Sequence, residues 1–71
     1  MKYLVVLEGG ARGWGAHVPD LPGCIAAAAT RDEVMRLIRE AIAFHIEGMK
    51  EHGESIPPPL SESAVVEVTA A

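Results

Sequence analysis

The sequence is short of cysteine, of aromatic side chains and of positive charge, and each shortage narrows what the chain can be. A single cysteine, Cys24, excludes an internal disulfide and fits a reducing compartment. One Trp, one Tyr and one Phe leave the core to aliphatic side chains. Six Lys and Arg stand against ten Asp and Glu, a formal charge of -4. That balance argues against direct binding to nucleic acid, whose affinity comes largely from clustered cations releasing counterions, and favours a basic partner. No apolar run is long enough to span a bilayer, and the run in Met1–Leu7 is too short for a signal peptide. A cytoplasmic protein with no membrane partner is expected. With 71 residues the chain holds one domain, 1–71, and buries only about 60% of its unfolded surface. Self-association into a homodimer or higher oligomer is the expected supplement to so small a core.

The most informative segment present is Pro19-Asp20-Leu21-Pro22-Gly23-Cys24. Pro22 fixes φ and Gly23 accepts positive φ, so Leu21–Cys24 reads as a type II turn. A short rigid loop is expected to present Asp20 and Leu21 to solvent at little ordering cost, which suits partner recognition more than catalysis.

Around this loop, residues 2–8 alternate as a strand with two apolar faces, Tyr3, Val5 and Leu7 on one and Leu4 and Val6 on the other. Gly9–Gly13 reads as a flexible hairpin connection, and 14–18 as a second strand with Trp14, Ala16 and Val18 aligned. Residues 24–29 are alanine-rich, yet their position between a turn and a helix start predicts a third strand. Thr30 and Glu33 form a capping box, and Val34, Leu37, Ile38, Ala41, Ile42, His45, Ile46 and Met49 make one apolar stripe. The helix is predicted over about 30–52, stopping at Gly53. Pro57-Pro58-Pro59 reads as a stiff strap, and 64–68 as a last strand. The expected fold class is α+β: β-β-β-α-β, a four-stranded mixed sheet with one helix on one face. The last strand is expected parallel to the first through a right-handed crossover.

Glu8 closing the first strand, the Pro19–Cys24 run, Thr30-x-x-Glu33, Glu40-Ala41, Gly53 and Ile56-Pro57-x-Pro59 occur in an order and spacing that resembles the HicB antitoxin family over nearly the whole chain. The resemblance implies a partial RNase H-like fold and a module that binds and blocks a small, basic, RNA-cleaving HicA-like toxin by steric occlusion. Two features depart from the family's pattern. Ala28-Ala29 stands where the family usually has a Gly-Asp pair, and the sequence reads as the N-terminal module without the DNA-binding domain that often follows.

Glu8, Trp14, Asp20 and Leu21 are the expected partner-binding residues, and Phe44 the expected oligomer contact. Met35 is expected to close the core margin. An RNase H-like fold raises a metal-dependent nuclease as an alternative, since two-metal chemistry needs clustered carboxylates, and only Glu8 and Asp20 are placed to approach each other. Glu40 and Glu47 lie opposite the apolar stripe and read as surface charges. Cys24 with His17 or His45 as base is weighed against an inert buried thiol, which is preferred. Cys24, His17, His45 and His52 lack the close pair spacing of zinc sites, so no metal or other cofactor is expected. A solitary oligomeric scaffold or small-molecule-binding domain without a toxin is the remaining alternative.

Overall fold

In the computed structural model, which describes residues 1–70, the chain runs β1 (Val6–Gly10), β2 (Gly13–His17), β3 (Ile25–Ala28) and α1 (Arg31–Glu51). The three strands form one antiparallel sheet in the order β1-β2-β3. The class is α+β, as expected.

The first hairpin is tighter than a run of glycines suggests. Gly9 and Gly10 belong to β1 and pair with Trp14 and Gly13, so only Ala11 and Arg12 form the connection. Gly13 enters β2 at φ +121°, with the space a Cβ would need taken by the Ala28 carbonyl oxygen at 2.6 Å. At Gly9 the missing side chain has a different use. The Trp14 indole lies across it, 2.8 Å from where a Cβ would stand.

The proline loop contains two successive turns. Leu21 N–H donates to Val18 O at 3.0 Å, Cys24 N–H donates to Leu21 O at 3.0 Å, and Val18 N–H donates to Cys24 O at 3.1 Å. Gly23 at φ +85° gives the second turn the positive-φ position of type II. The Val18–Cys24 bond carries the β2–β3 register one pair further, and the next position that would face β1 is Pro19, which has no N–H to give. Residues 2–5 therefore precede β1 without a partner strand, and β1 begins at Val6 instead of residue 2.

Helix α1 starts as its sequence dictates, with Glu33 N–H donating to Thr30 Oγ1 at 3.2 Å and Asp32 and Glu33 at the positive end of the dipole. It ends in a Schellman arrangement, Gly53 N–H to Lys50 O and Glu54 N–H to Met49 O, with Gly53 at φ +67°. The His52 ring also meets Gly48 O at 2.7 Å. Val34 and Ile38 are buried, and Met35, Ala41, Ile42 and Ile46 pack around them, so Met35 does close the core margin. At 21 residues the helix is about 32 Å long. Strands of four or five residues span about half of that, so the burial fades towards its C-terminal half.

The core comprises Ala16, Val18, Leu21, Cys24, Val34 and Ile38. Its membership follows from register. Leu7 pairs with Ala16, and Ala16 with Ala26, so Tyr3, Val5, Leu7, Trp14, Ala16, Val18, Cys24, Ala26 and Ala28 share the face beneath α1. Alanines on β3 leave room for the helix to approach closely.

The expected fourth strand is not formed. Among the described residues, 54–70 carry no helix or strand, and Val65, Val66 and Val68 are exposed. The strap explains why. The Tyr3 hydroxyl donates to Pro57 O, and Asp20 accepts from Ser61 N–H at 2.9 Å and from its hydroxyl at 2.8 Å. The strap thus crosses the end of the sheet from the β1 side towards the β2–β3 loop, away from the free edge of β1 where a parallel fourth strand was expected.

Candidate interaction surface

One face of the sheet lies under α1, and among the described residues no helix or strand lies over the other. Alternation puts Leu4, Val6 and Glu8, then Gly15 and His17, then Ile25 and Ala27 on that open face. Ile25 is 71% exposed, an unusual position for a β-branched aliphatic side chain in a strand. Around Gly15 a Cβ would meet nothing within 4 Å, so the centre of the face is flat there, with His17 beside it between Val6 and Ile25. Glu8 stands exposed at its rim. A flat, mostly apolar face that carries one imidazole and is bordered by a carboxylate is suited to docking against another protein.

The expected site residues fall into different environments. Glu8 is on this face. Trp14 is on the other, half-buried against the core with its ring over Gly9. Phe44 projects from α1, 84% exposed.

Leu21 corrects the expectation of a solvent-presented tip. The paired turns fold it back beneath the sheet, where it is 0% exposed among Val18, Cys24, Val34 and Ile38. Asp20 is also drawn inward, half-buried with each carboxylate oxygen accepting a hydrogen bond from Ser61. The loop is therefore a core plug and a strap anchor. Tyr3 and Ser61, which hold the strap, carried no sequence signal beyond the proline run between them.

Asp20→Ala removes both acceptors for Ser61 while leaving the loop turns, which are bonded through backbone. The bonds to a carboxylate are worth about 1–2 kcal/mol together at a half-buried site. Hydrogen exchange at the Ser61 amide is expected to speed up about tenfold or more, with the β2 amides unchanged. Unchanged exchange at Ser61 would show that the contact does not hold the strap.

The nuclease pair is not assembled. Glu8 is opposite Gly15, and Asp20 lies beyond the far end of β2, separated by at least three residues of strand, roughly 10 Å, and a turn. Among the described residues no three His, Cys, Asp or Glu side chains cluster as a metal site would require. Cys24 and His17 lie on opposite faces of the sheet, so the register keeps thiol and imidazole apart. Glu40 pairs with Arg36 at 3.2 Å on the exposed side of α1, an ion pair open to screening.

Burial pushes the Cys24 thiol pKa above its ordinary value, because the thiolate would be desolvated in the core. The unfolded chain then loses its thiol proton at lower pH than the folded one. Stability from this group is complete below the unfolded-state pKa and is lost as pH rises towards the folded-state value. Urea midpoints should therefore fall on the alkaline side of neutrality, and Cys24→Ala should remove that part of the slope while lowering the midpoint at pH 7. An identical alkaline slope in the variant would assign it elsewhere.

These features define a small α+β domain built from a three-stranded antiparallel sheet with a helix on one face. Residues 3–70 match the family of the HicB_like antitoxin of bacterial toxin-antitoxin systems. The chain belongs to this HicB-like antitoxin family. It is 46% identical over 57 residues to an uncharacterised 14.9 kDa protein of Haemophilus phage HP1, covering 80% of this chain and 43% of the phage protein. It is 39% identical to the UPF0150 protein Ta0767 of Thermoplasma acidophilum, covering 93% of this chain and 97% of that one. Antitoxin HicB 2 of Photorhabdus laumondii is 31% identical across 99% of this chain, which spans 51% of the antitoxin. Among solved structures, a chain of the HicA3 and HicB3 toxin-antitoxin complex superposes with a TM-score of 0.70 at 28% identity, covering 84% of this chain and 70% of that one. No helix among the described residues is long and apolar enough to cross a membrane.

Proposed function

We propose that this chain is the binding module of an antitoxin, which neutralises a small basic HicA-type RNA-cleaving toxin by covering it, without catalysis of its own. The observation that carries the reading is the likeness in fold and sequence to a chain of the HicA3 and HicB3 complex, combined with a mostly apolar sheet face that no helix or strand among the described residues covers. The chemistry is consistent with it. An RNA-cleaving protein needs a basic surface to hold its substrate, and a partner of formal charge -4 is steered towards such a surface. Glu8 and the open face with Ile25 form the centre of the proposed contact, and the exposed edge of Trp14 extends it around the β1–β2 hairpin. Complex formation takes place in the cytoplasm, where the toxin's RNA substrate is.

A solitary scaffold is the second reading, favoured by one observation: the chain covers 97% of the Thermoplasma relative, so the domain recurs in a protein of about this length. Tagged protein recovered from nuclease-treated native lysate separates the two. The antitoxin reading expects a small basic protein at about equal stoichiometry, released by high salt. Recovery of only more copies of this chain would favour the scaffold.

A further inference from the structure

We infer that residues 64–69 of one copy add as a strand to the free edge of β1 in a second copy, with reciprocal exchange closing a two-fold dimer. The inference does not rest on the toxin reading. It begins with a segment that looks like a strand and has no partner. Ala64-Val65-Val66-Glu67-Val68-Thr69 contains four β-branched residues and neither Gly nor Pro. Val65, Val66 and Val68 are 101%, 77% and 78% exposed. A compact chain of this length has a radius of gyration of about 11 Å. The observed value is 14.4 Å, with a longest axis of 52 Å, well beyond what α1 spans.

The acceptor is the outer edge of β1. This strand is bonded to β2 on one side only, it contains no proline, and no other strand among the described residues pairs with its outer side. β1 offers five residues with residues 3–5 leading into it, whereas β3 offers four. Its side chains are apolar on both faces, Tyr3, Val5 and Leu7 against Leu4 and Val6, and so match a segment with Val65 on one side and Val66 and Val68 on the other. Pairing would also satisfy backbone groups of residues 3–5 that β2 does not reach.

The same chain is a poor donor to its own β1. Ser61 is held at Asp20, on the far side of the sheet end from the β1 edge, and only Glu62 and Ser63 separate it from the segment. The three steps from Ser61 to Ala64 span at most about 11 Å, too little both to cross two strand spacings of about 4.8 Å each and to reverse direction alongside β1. A second copy has no such tether, and two-fold symmetry lets each copy give one strand and take one. The four-stranded mixed sheet expected from sequence would then exist in the dimer, with its last strand supplied by the other chain.

The test is sedimentation equilibrium of the full chain beside Val66→Pro and Phe44→Ser variants, with circular dichroism as the folding control. Wild type is expected at twice the 7.5 kDa chain mass in the micromolar range. Val66→Pro should raise the dimer dissociation constant about 100-fold or more at unchanged helix signal, since proline removes a ladder donor and the segment is exposed in its own chain. It should also abolish slow exchange of those β1 amides that do not bond to β2. A wild-type monomer at 100-fold higher concentration would overturn the inference. So would a dimer that survives Val66→Pro, or one that dissociates only with Phe44→Ser.

Discussion

Leu21→Ala is expected to leave the domain largely unfolded. Leu21 is 0% exposed and lies between the β2–β3 loop and α1, touching both layers of the core. Truncating such a leucine costs about 2–5 kcal/mol, the transfer term plus the cavity left behind. A domain of this size has roughly 4–10 kcal/mol in total. The loop cannot collapse into the hole, because its two turns are fixed by backbone hydrogen bonds at both ends of Leu21. Urea titration followed by circular dichroism should show a midpoint lowered by about 2 M or more, or no folded baseline at all. A midpoint within 0.5 M of wild type (about the scatter of such measurements) would mean that Leu21 is not the plug it is described as.

Gly13→Ala should be comparably damaging for a different reason. At φ +121° an L-residue is strained by about 1–3 kcal/mol before any contact is considered. The added Cβ would also stand 2.6 Å from the Ala28 carbonyl oxygen and 3.4 Å from the Ala29 Cα, both backbone, so no side chain can swing away. The β2–β3 ladder must open at its Trp14–Ala28 end or the hairpin must change its turn. Gly10→Ala is the internal control. Gly10 has ordinary φ and an open Cβ position, and its change is expected to be neutral or slightly stabilising. Thermal melts of the two variants should differ by 10 °C or more, on the scale of about 4–8 °C per kcal/mol for a domain this small. Equal melting temperatures would contradict the account of the hairpin.

Local chemistry made most of the fold legible in the sequence. The Thr30 N-cap, the stop at Gly53, the type II turn at Pro22-Gly23 and the period of the helix stripe each act within a few residues of themselves and appear where the pattern puts them, although the Glu33 carboxylate does not close the capping box back onto Thr30. Even the alanine-rich third strand formed, because turn and cap left it no length in which to be helix. What depended on long-range direction was not legible. The Pro19–Cys24 loop looks like a solvent-facing tip until the second turn, Val18–Leu21, is seen to fold Leu21 inward. Residues 64–68 have the composition of a strand, but composition does not say which edge receives them, and the Asp20–Ser61 anchor diverts them from their own sheet. The open face was partly legible, since β1 is apolar on both sides in a chain with one helix, yet the place of Ile25 on it needed the register of β3 against β2.

The central claim is neutralisation by covering a basic RNA-cleaving protein, and inhibition of cleavage tests it most directly. The purified small basic partner recovered from lysate would be incubated with RNA while this chain is titrated in, in low and high salt. The account expects cleavage to stop near equal stoichiometry, inhibition to weaken as salt rises, and Glu8→Lys together with Ile25→Asp to abolish inhibition while both proteins stay folded. Cleavage that continues at full rate with the two proteins demonstrably bound would contradict it.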